Sequence, residues 1–326
     1  MTDHPPKPPA LSSQRVTAAM PVFRNSPSAW LRFELQPARL LPTITATLIV
    51  WLIGVIVTIS YGALIFSGDL SDHIDAGIGL ALISATAALI FTALLSSYPG
   101  MIGFPQDTTA ALMALMAANV THEALEHTSH DAAYITVVAA IAITSIATGI
   151  VFYLIGHYRL GRFIQFVPFP VVGGFLAGTG WLLLRGGVGL MAGVSLSLDN
   201  LDQLVTGDIL IRWLPGLLYA VVLLTLMRYR SHFLLLPVML IVGVGLFYAA
   251  LLITGTSVDE ANARGLMLPS LEGRNLWQPL VPSDLRQVEW GVLPQQAGTL
   301  VSVLLVSVLH LLLNASGLEL VLKRDL

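Results

Sequence analysis

Asp107, Thr108 and Thr109 stand together inside an apolar chain that has no ordinary use for them. They follow Pro105 and Gln106 in "YPGMIGFPQDTTAALMALMAANV", residues 98–120. "SYPGMIGF", with Pro99, Gly100 and Gly103, reads as extended chain. "PQDTTAALMALMAA" reads as a helix. Pro105 suits its first turn, Gln106 to Thr109 suit its opening, and the Ala, Leu and Met that follow are strong helix formers. A helix that opens this way offers unpaired N–H groups and the positive end of its dipole, which is chemistry for holding an anion. Asp107 fits that picture poorly, because like charges repel. It is protonated, or it turns away as a cap, or the solute is not an anion. The structural alternative is that Asp107 only caps a kinked helix.

The chain around this stretch is a membrane chain. Of its 326 residues 55% are hydrophobic and 11% charged, and the mean hydropathy is +0.79. Soluble domains carry roughly a quarter charged residues. Apolar runs fall at about 41–67, 76–97, 99–120, 132–156, 168–191, 210–227, 233–255 and 297–322. Each is of the order of the ~20 residues that cross a bilayer. The fold class is therefore an all-α integral membrane protein with about eight transmembrane segments, the third of them broken. Residues 1–40 are a Pro-rich, polar tail without a signal peptide's apolar stretch. Residues 256–296, with Pro269, Pro279, Pro282, Pro294, Trp277 and Trp290, form an extramembrane loop or small cap anchored by the tryptophans. Residues 297–326 hold the eighth span.

Charge supplies the orientation. Lys7, Arg15, Arg24, Arg32 and Arg39 lie in the tail, Arg159 and Arg162 after span four, Arg228 and Arg230 after span six, and Lys323 and Arg324 at the end. The alternate loops are acidic: Asp69, Asp72 and Asp75; Glu123, Glu126 and Asp131; Asp199, Asp202 and Asp208. The positive-inside rule then puts the N-terminus in the cytoplasm and makes residues 99–120 a true crossing. The expected location is a bacterial inner (plasma) membrane. Backbone that is not helical at membrane depth must be wrapped in protein or face a wet cavity. Broken helices of this kind build midplane solute sites in secondary transporters.

"GFPQDTTAALMA", "GRFIQFVPFPVVGGFLAGTGWLLLRGG" (residues 161–187) and "ISYGALIFSG" resemble the third, fifth and first spans of the SulP sulfate-permease family of inorganic anion transporters. The resemblance covers residues 40–326. It implies two inverted repeats of seven segments, with residues 41–255 as the first repeat. It also implies a core domain that moves as an elevator against a gate domain, an anion held between opposed half-helices, and a homodimer. The chain stops at Leu326, soon after span eight, so the expectation is an N-terminal portion of such a transporter.

The resemblance implies substrate contacts at Pro105, Gln106, Asp107, Thr108 and Thr109, with the N–H groups of Asp107, Thr108 and Thr109 as donors to an anion and the threonine hydroxyls adding hydrogen bonds. Many relatives carry an acid in span eight that faces the site and serves coupling. The candidates for that position here are Asn314 and Glu319. Residues five apart on a helix differ by about 140°, so the two do not point the same way. Asn314 is nearer the usual place and Glu319, like Asp107, is the candidate coupling acid. Glu319 is otherwise a structural partner for Lys323 or Arg324. Tyr61 lies near the substrate-facing part of span one, or is a packed aromatic.

Other groups read more plainly. Arg185 snorkels to the interface, and Gly173, Gly174, Gly178 and Gly180 are helix-packing positions. "HEALEHTSH" is one residue away from a zinc-protease spacing and reads as a solvated loop. His310 reads as a packed, hydrogen-bonded histidine. There is no Cys, hence no thiol chemistry, and no metal or cofactor site is expected. No nucleophile motif or basic patch points to an enzyme or to nucleic acid. The leading function is secondary transport of an inorganic anion such as sulfate, bicarbonate or a related oxyanion, possible with proton symport. The alternative is a proton-coupled transporter of a cationic or zwitterionic solute such as an amino acid, favoured by Asp107 and Glu319. A third class is a channel or an interaction-only membrane protein.

Overall fold

A computed structural model describes residues 37–96, 102–158, 160, 169–194, 202–230, 232, 234–268 and 281–322. Every regular element among them is helical. The helices are α1 (Pro37–Ile65), α2 (Ile74–Leu95), α3 (Asp107–Leu125), α4 (His130–His157), α5 (Phe169–Ala192), α6 (Gly207–Tyr229), α7 (Leu235–Thr254), α8 (Val258–Ala263) and α9 (Ala297–Leu322). The chain divides into two units, Met1–Trp51 and Leu52–Leu326. In the first, the described residues form the opening turns of α1. All that follows concerns the second.

Among the described residues seven helical segments are long and apolar enough to cross a membrane: Thr43–Ile65, Gly68–Leu95, His130–His157, Pro170–Ala192, Gly207–Tyr229, Leu235–Thr254 and Leu293–Asn314. They match the apolar runs to within a few residues, except for Gly68–Leu95, which starts earlier, and Leu293–Asn314, which ends before the run does. The remaining expected crossing is different in kind. α3 begins only at Asp107 and carries "NVTHEAL" at its end. It tolerates that polarity because it packs against α4, α5 and α9. Protein rather than lipid covers much of its surface.

One core cluster joins Ala63 and Phe66 of α1, Leu70 of the following turn, Ile74 and Ile78 of α2, Met116 and Val120 of α3, Tyr134 and Val137 of α4, and Val292 before α9. The start of α2, the end of α3 and the start of α4 therefore meet at one end, the end of the acidic loops. The chain leaves that end along α2 and returns to it along α3, as the expected third crossing requires. Small residues let the first two helices touch. A Cβ at Gly62 would lie 2.9 Å from the Ile78 Cα, and one at Gly77 would lie 2.2 Å from the Phe66 ring.

The loop before α9 is a docked cap. Val288 and Val292 are buried, and the Glu289 amide donates to the Thr136 hydroxyl of α4 at 3.1 Å. The expected tryptophan anchoring is not what holds it: Trp290 is exposed, its indole N–H spent on the Leu285 carbonyl. Trp277, Pro269 and Pro279 lie outside the described residues. A second correction concerns Gly173, Gly174, Gly178 and Gly180 of α5, where an added Cβ meets nothing within 4 Å. The close approach in α5 is instead at Gly186, against Leu64 of α1.

Candidate functional site

The opening of α3 is held from three sides. Residues 102–106 run without regular structure. A Cβ at Gly103 would lie 2.5 Å from the Thr92 hydroxyl and 3.0 Å from the Ala88 carbonyl oxygen, so the chain needs glycine to pass α2. The Phe104 ring sits 3.2 Å from a Cβ built on Gly54 of α1. On the third side stands α9.

The helix starts later than the prolines suggest. Gln106 is the N-cap residue, with extended φ −93° and ψ 127° and no side-chain cap bond. Pro105 thus precedes the cap instead of occupying the first turn. Its lack of an N–H costs nothing there. Asp107 is the first helical residue and is exposed. Its Oδ1 accepts the Thr108 amide hydrogen at 2.7 Å. One of the three amides expected to face an anion is therefore taken by the chain's own carboxylate.

The threonine hydroxyls have partners within the protein. Thr108 is buried, with its Oγ1 3.1 Å from Nδ1 of His310. Thr109 donates to Gln106 Oε1 at 3.2 Å and lies 3.2 Å from the Ser307 Oγ. Because the Thr109 hydrogen goes to Gln106, Ser307 is the donor of that pair. The hydroxyls thus brace α3 against α9, and burial explains why: a buried O–H left unpaired costs about 1–3 kcal/mol.

The level of this contact follows from helix rise. Ser307 and His310 lie about three to four turns into α9, roughly 15–20 Å from its start at the acidic-loop end. A hydrocarbon core is about 30 Å thick, so the contact falls near its middle.

Of the other sequence candidates, Tyr61 is half-buried and lies within the electrostatic reach of Asp107. Asn314 is exposed on α9, one turn beyond His310. Glu319 belongs to α9, but its side chain lies outside the described residues. Sequence reasoning missed Ser307 and gave His310 no role in the site. Ser307, His310 and Asn314 are spaced three and four apart, the one polar stripe that could have pointed to them. In the acidic loops, His73 Nε2 meets Asp131 at 3.0 Å and Glu123 accepts from Gln296 at 3.4 Å. Among the described residues no group of three His, Asp or Glu side chains converges as metal ligands.

The sulfate permease family matches residues 40–324 of the chain. The vacuolar basic amino acid transporter VSB1 of Saccharomyces cerevisiae (strain ATCC 204508 / S288c) is 27% identical over 299 residues, which is 89% of this chain and 29% of the relative. The chain thus spans less than a third of that relative's length. No solved structure matches it.

Proposed function

Because the chain belongs to the sulfate permease family over residues 40–324, a family of transporters and not of enzymes, we propose that it forms part of a secondary transporter whose solute binds where α3 begins. The substrate we favour is a cationic or zwitterionic solute such as an amino acid. One observation carries this choice: Asp107 presents an exposed carboxylate at the helix opening while its Oδ1 occupies the Thr108 amide. That arrangement repels an incoming anion and attracts an ammonium or guanidinium group. The name of the yeast relative, a basic amino acid transporter, supports the same class.

A second reading keeps the solute as sulfate, bicarbonate or a related oxyanion. It is favoured by the helix opening itself, where Gln106 gives no side-chain cap to the remaining amides. On either reading Tyr61, Pro105, Gln106, Asp107, Thr108, Thr109 and Asn314 surround the site, and Asp107 and Glu319 are the candidates for proton coupling. Residues 41–255 act as the first repeat, and movement is of the elevator type. The alternating basic and acidic segments support a cytoplasmic N-terminus.

Competition for uptake into proteoliposomes by the full-length protein separates the two. Inhibition by lysine or arginine and not by sulfate supports the first reading; the reverse pattern replaces it with the second.

A further inference from the structure

The loop before α9 buries some of its apolar side chains and shows others. Val288 and Val292 are buried, Val292 within the core cluster. Val281, Leu285 and Trp290 are 46%, 44% and 53% exposed. The three belong to one short fold of the chain. The Trp290 indole N–H donates to the Leu285 carbonyl at 3.2 Å. The Asp284 amide donates to the Val281 carbonyl at 2.9 Å, and the Val281 amide donates back to Asp284 Oδ2 at 3.0 Å. Apolar surface left bare to water is unfavourable, and a patch of it marks a place where something docks. Three observations say what covers this one. The first is depth. The Glu289 amide, one residue before Trp290, is bonded to Thr136, six residues into α4, which is about 9 Å from the start of that helix. The 28 residues of α4 reach about 42 Å, close to a whole bilayer with its headgroups, of which about 30 Å is hydrocarbon. With α4 centred, Trp290 lies at the boundary between headgroups and hydrocarbon. Chain order agrees, because the span Leu293–Asn314 begins three residues after Trp290.

The second observation is hydrogen bonding. Polar N–H groups that approach hydrocarbon need partners within the protein, and this loop supplies its own. Besides the Trp290 indole and the Val281 amide, the amides of Arg286, Gln287, Trp290 and Val292 donate to the carbonyls of Ser283, Asp284, Val288 and Glu289. The third is charge. The two acids of the segment, Asp284 and Glu289, are half-buried while Arg286 is exposed, so the charge it shows is complementary to lipid phosphate. We propose that Val281, Leu285 and Trp290 are a lipid-facing anchor, which seats the loop in the headgroup boundary of the leaflet at the acidic-loop end. Tryptophan suits this level, with a large apolar body and a polar tip. The anchor does not depend on which solute is carried.

The test incorporates fluorotryptophan into the full-length protein and reads its fluorine resonances in nanodiscs of phosphatidylcholine and phosphatidylglycerol. The line missing from Trp290→Phe belongs to Trp290, and Trp290→Tyr assigns it again should the first variant not fold. Two probes then compete as sources of line broadening: a spin label on the lipid acyl chain next to its carbonyl, and a water-soluble gadolinium chelate. The expected result is that the lipid label broadens the Trp290 line more than the chelate does. Broadening by the chelate as strong as that by the lipid label, or stronger, puts the indole in water, and the proposal falls. Broadening by neither means that protein covers the patch, either a second copy or a further part of the chain, and the proposal falls equally. A label at the end of the acyl chain serves as the depth control. If it broadens the line more than the label next to the carbonyl does, the indole lies inside the hydrocarbon and the boundary assignment is overturned.

Discussion

The carboxylate of Asp107 accepts the amide hydrogen of its own neighbour Thr108 at 2.7 Å, at the point where α3 begins. A side chain in that position has two separable effects. It satisfies an N–H that a helix start leaves bare, and it places a negative charge at the opening. Asp107→Asn keeps an acceptor and removes the charge. Its thermal stability in detergent should stay within about 1 kcal/mol of wild type, whereas Asp107→Ala should lose about 0.5–1.5 kcal/mol with the hydrogen bond to Thr108. Competition by lysine should weaken at least roughly tenfold in Asp107→Asn, about 1.4 kcal/mol. Undiminished competition by lysine would remove Asp107 from solute recognition.

Gly62 and Gly77 are where two membrane helices come closest. The obstacle at Gly62 is the Ile78 backbone, and at Gly77 it is the inner atoms of the Phe66 ring. Neither can swing aside as the tip of a flexible side chain would. Gly62→Ala and Gly77→Ala should each cost about 1–3 kcal/mol through overpacking. Gly173→Ala and Gly178→Ala, with open space around the new methyl, should be neutral or mildly stabilising, since glycine weakens a helix interior by about 0.5–1 kcal/mol. Midpoints of thermal aggregation for the four variants check the contrast, and equal losses in all four would contradict it.

The limits of sequence reading follow the same division between local and distant causes. Span positions were legible because hydropathy over a run of about 20 residues is a local property. So was the break before α3, written in Gly103 and Pro105. The direction in which Thr108 and Thr109 point was not. Their hydroxyls pair with His310 and Ser307, 202 and 198 positions away, and no local spacing encodes that meeting. Polar groups at membrane depth are satisfied by a cavity or by other protein groups. A second helix with polar residues on its facing stripe satisfies them equally well. In the loop before α9 the buried apolar side chains are Val288 and Val292, while Trp290 is exposed, a difference that composition alone does not encode.

The Thr136 hydroxyl is used twice. It donates to the Ala132 carbonyl at 2.8 Å within α4 and accepts the Glu289 amide at 3.1 Å. Thr136→Val keeps the volume and removes the acceptor. The Glu289 N–H is then left without its partner at a part-buried place, a loss of about 1–3 kcal/mol. Hydrogen exchange should report it locally: the Glu289 amide should lose protection by roughly tenfold or more while amides in the middle of α4 keep theirs. Equal loss in both places would mean that Thr136 supports the whole helix and not the docking of the cap.

His73 offers a site where removing a polar group should help. Its ring stacks on Tyr134 with centroids 4.7 Å apart and planes 14° from parallel. Its Nε2 meets Asp131 at 3.0 Å, but the Asp131 side chain is 82% exposed, and such pairs contribute about 0–1 kcal/mol. Its Nδ1 is buried with no partner, which costs more than that pair returns. His73→Phe keeps a ring against Tyr134 and removes the stranded nitrogen. It should raise the thermal midpoint or leave it unchanged. His73→Ala discards the stacking as well and should lower it. A fall in His73→Phe as large as that in His73→Ala would mean that the contact with Asp131, and not the ring, ties the turn at Gly68–His73 to the start of α4.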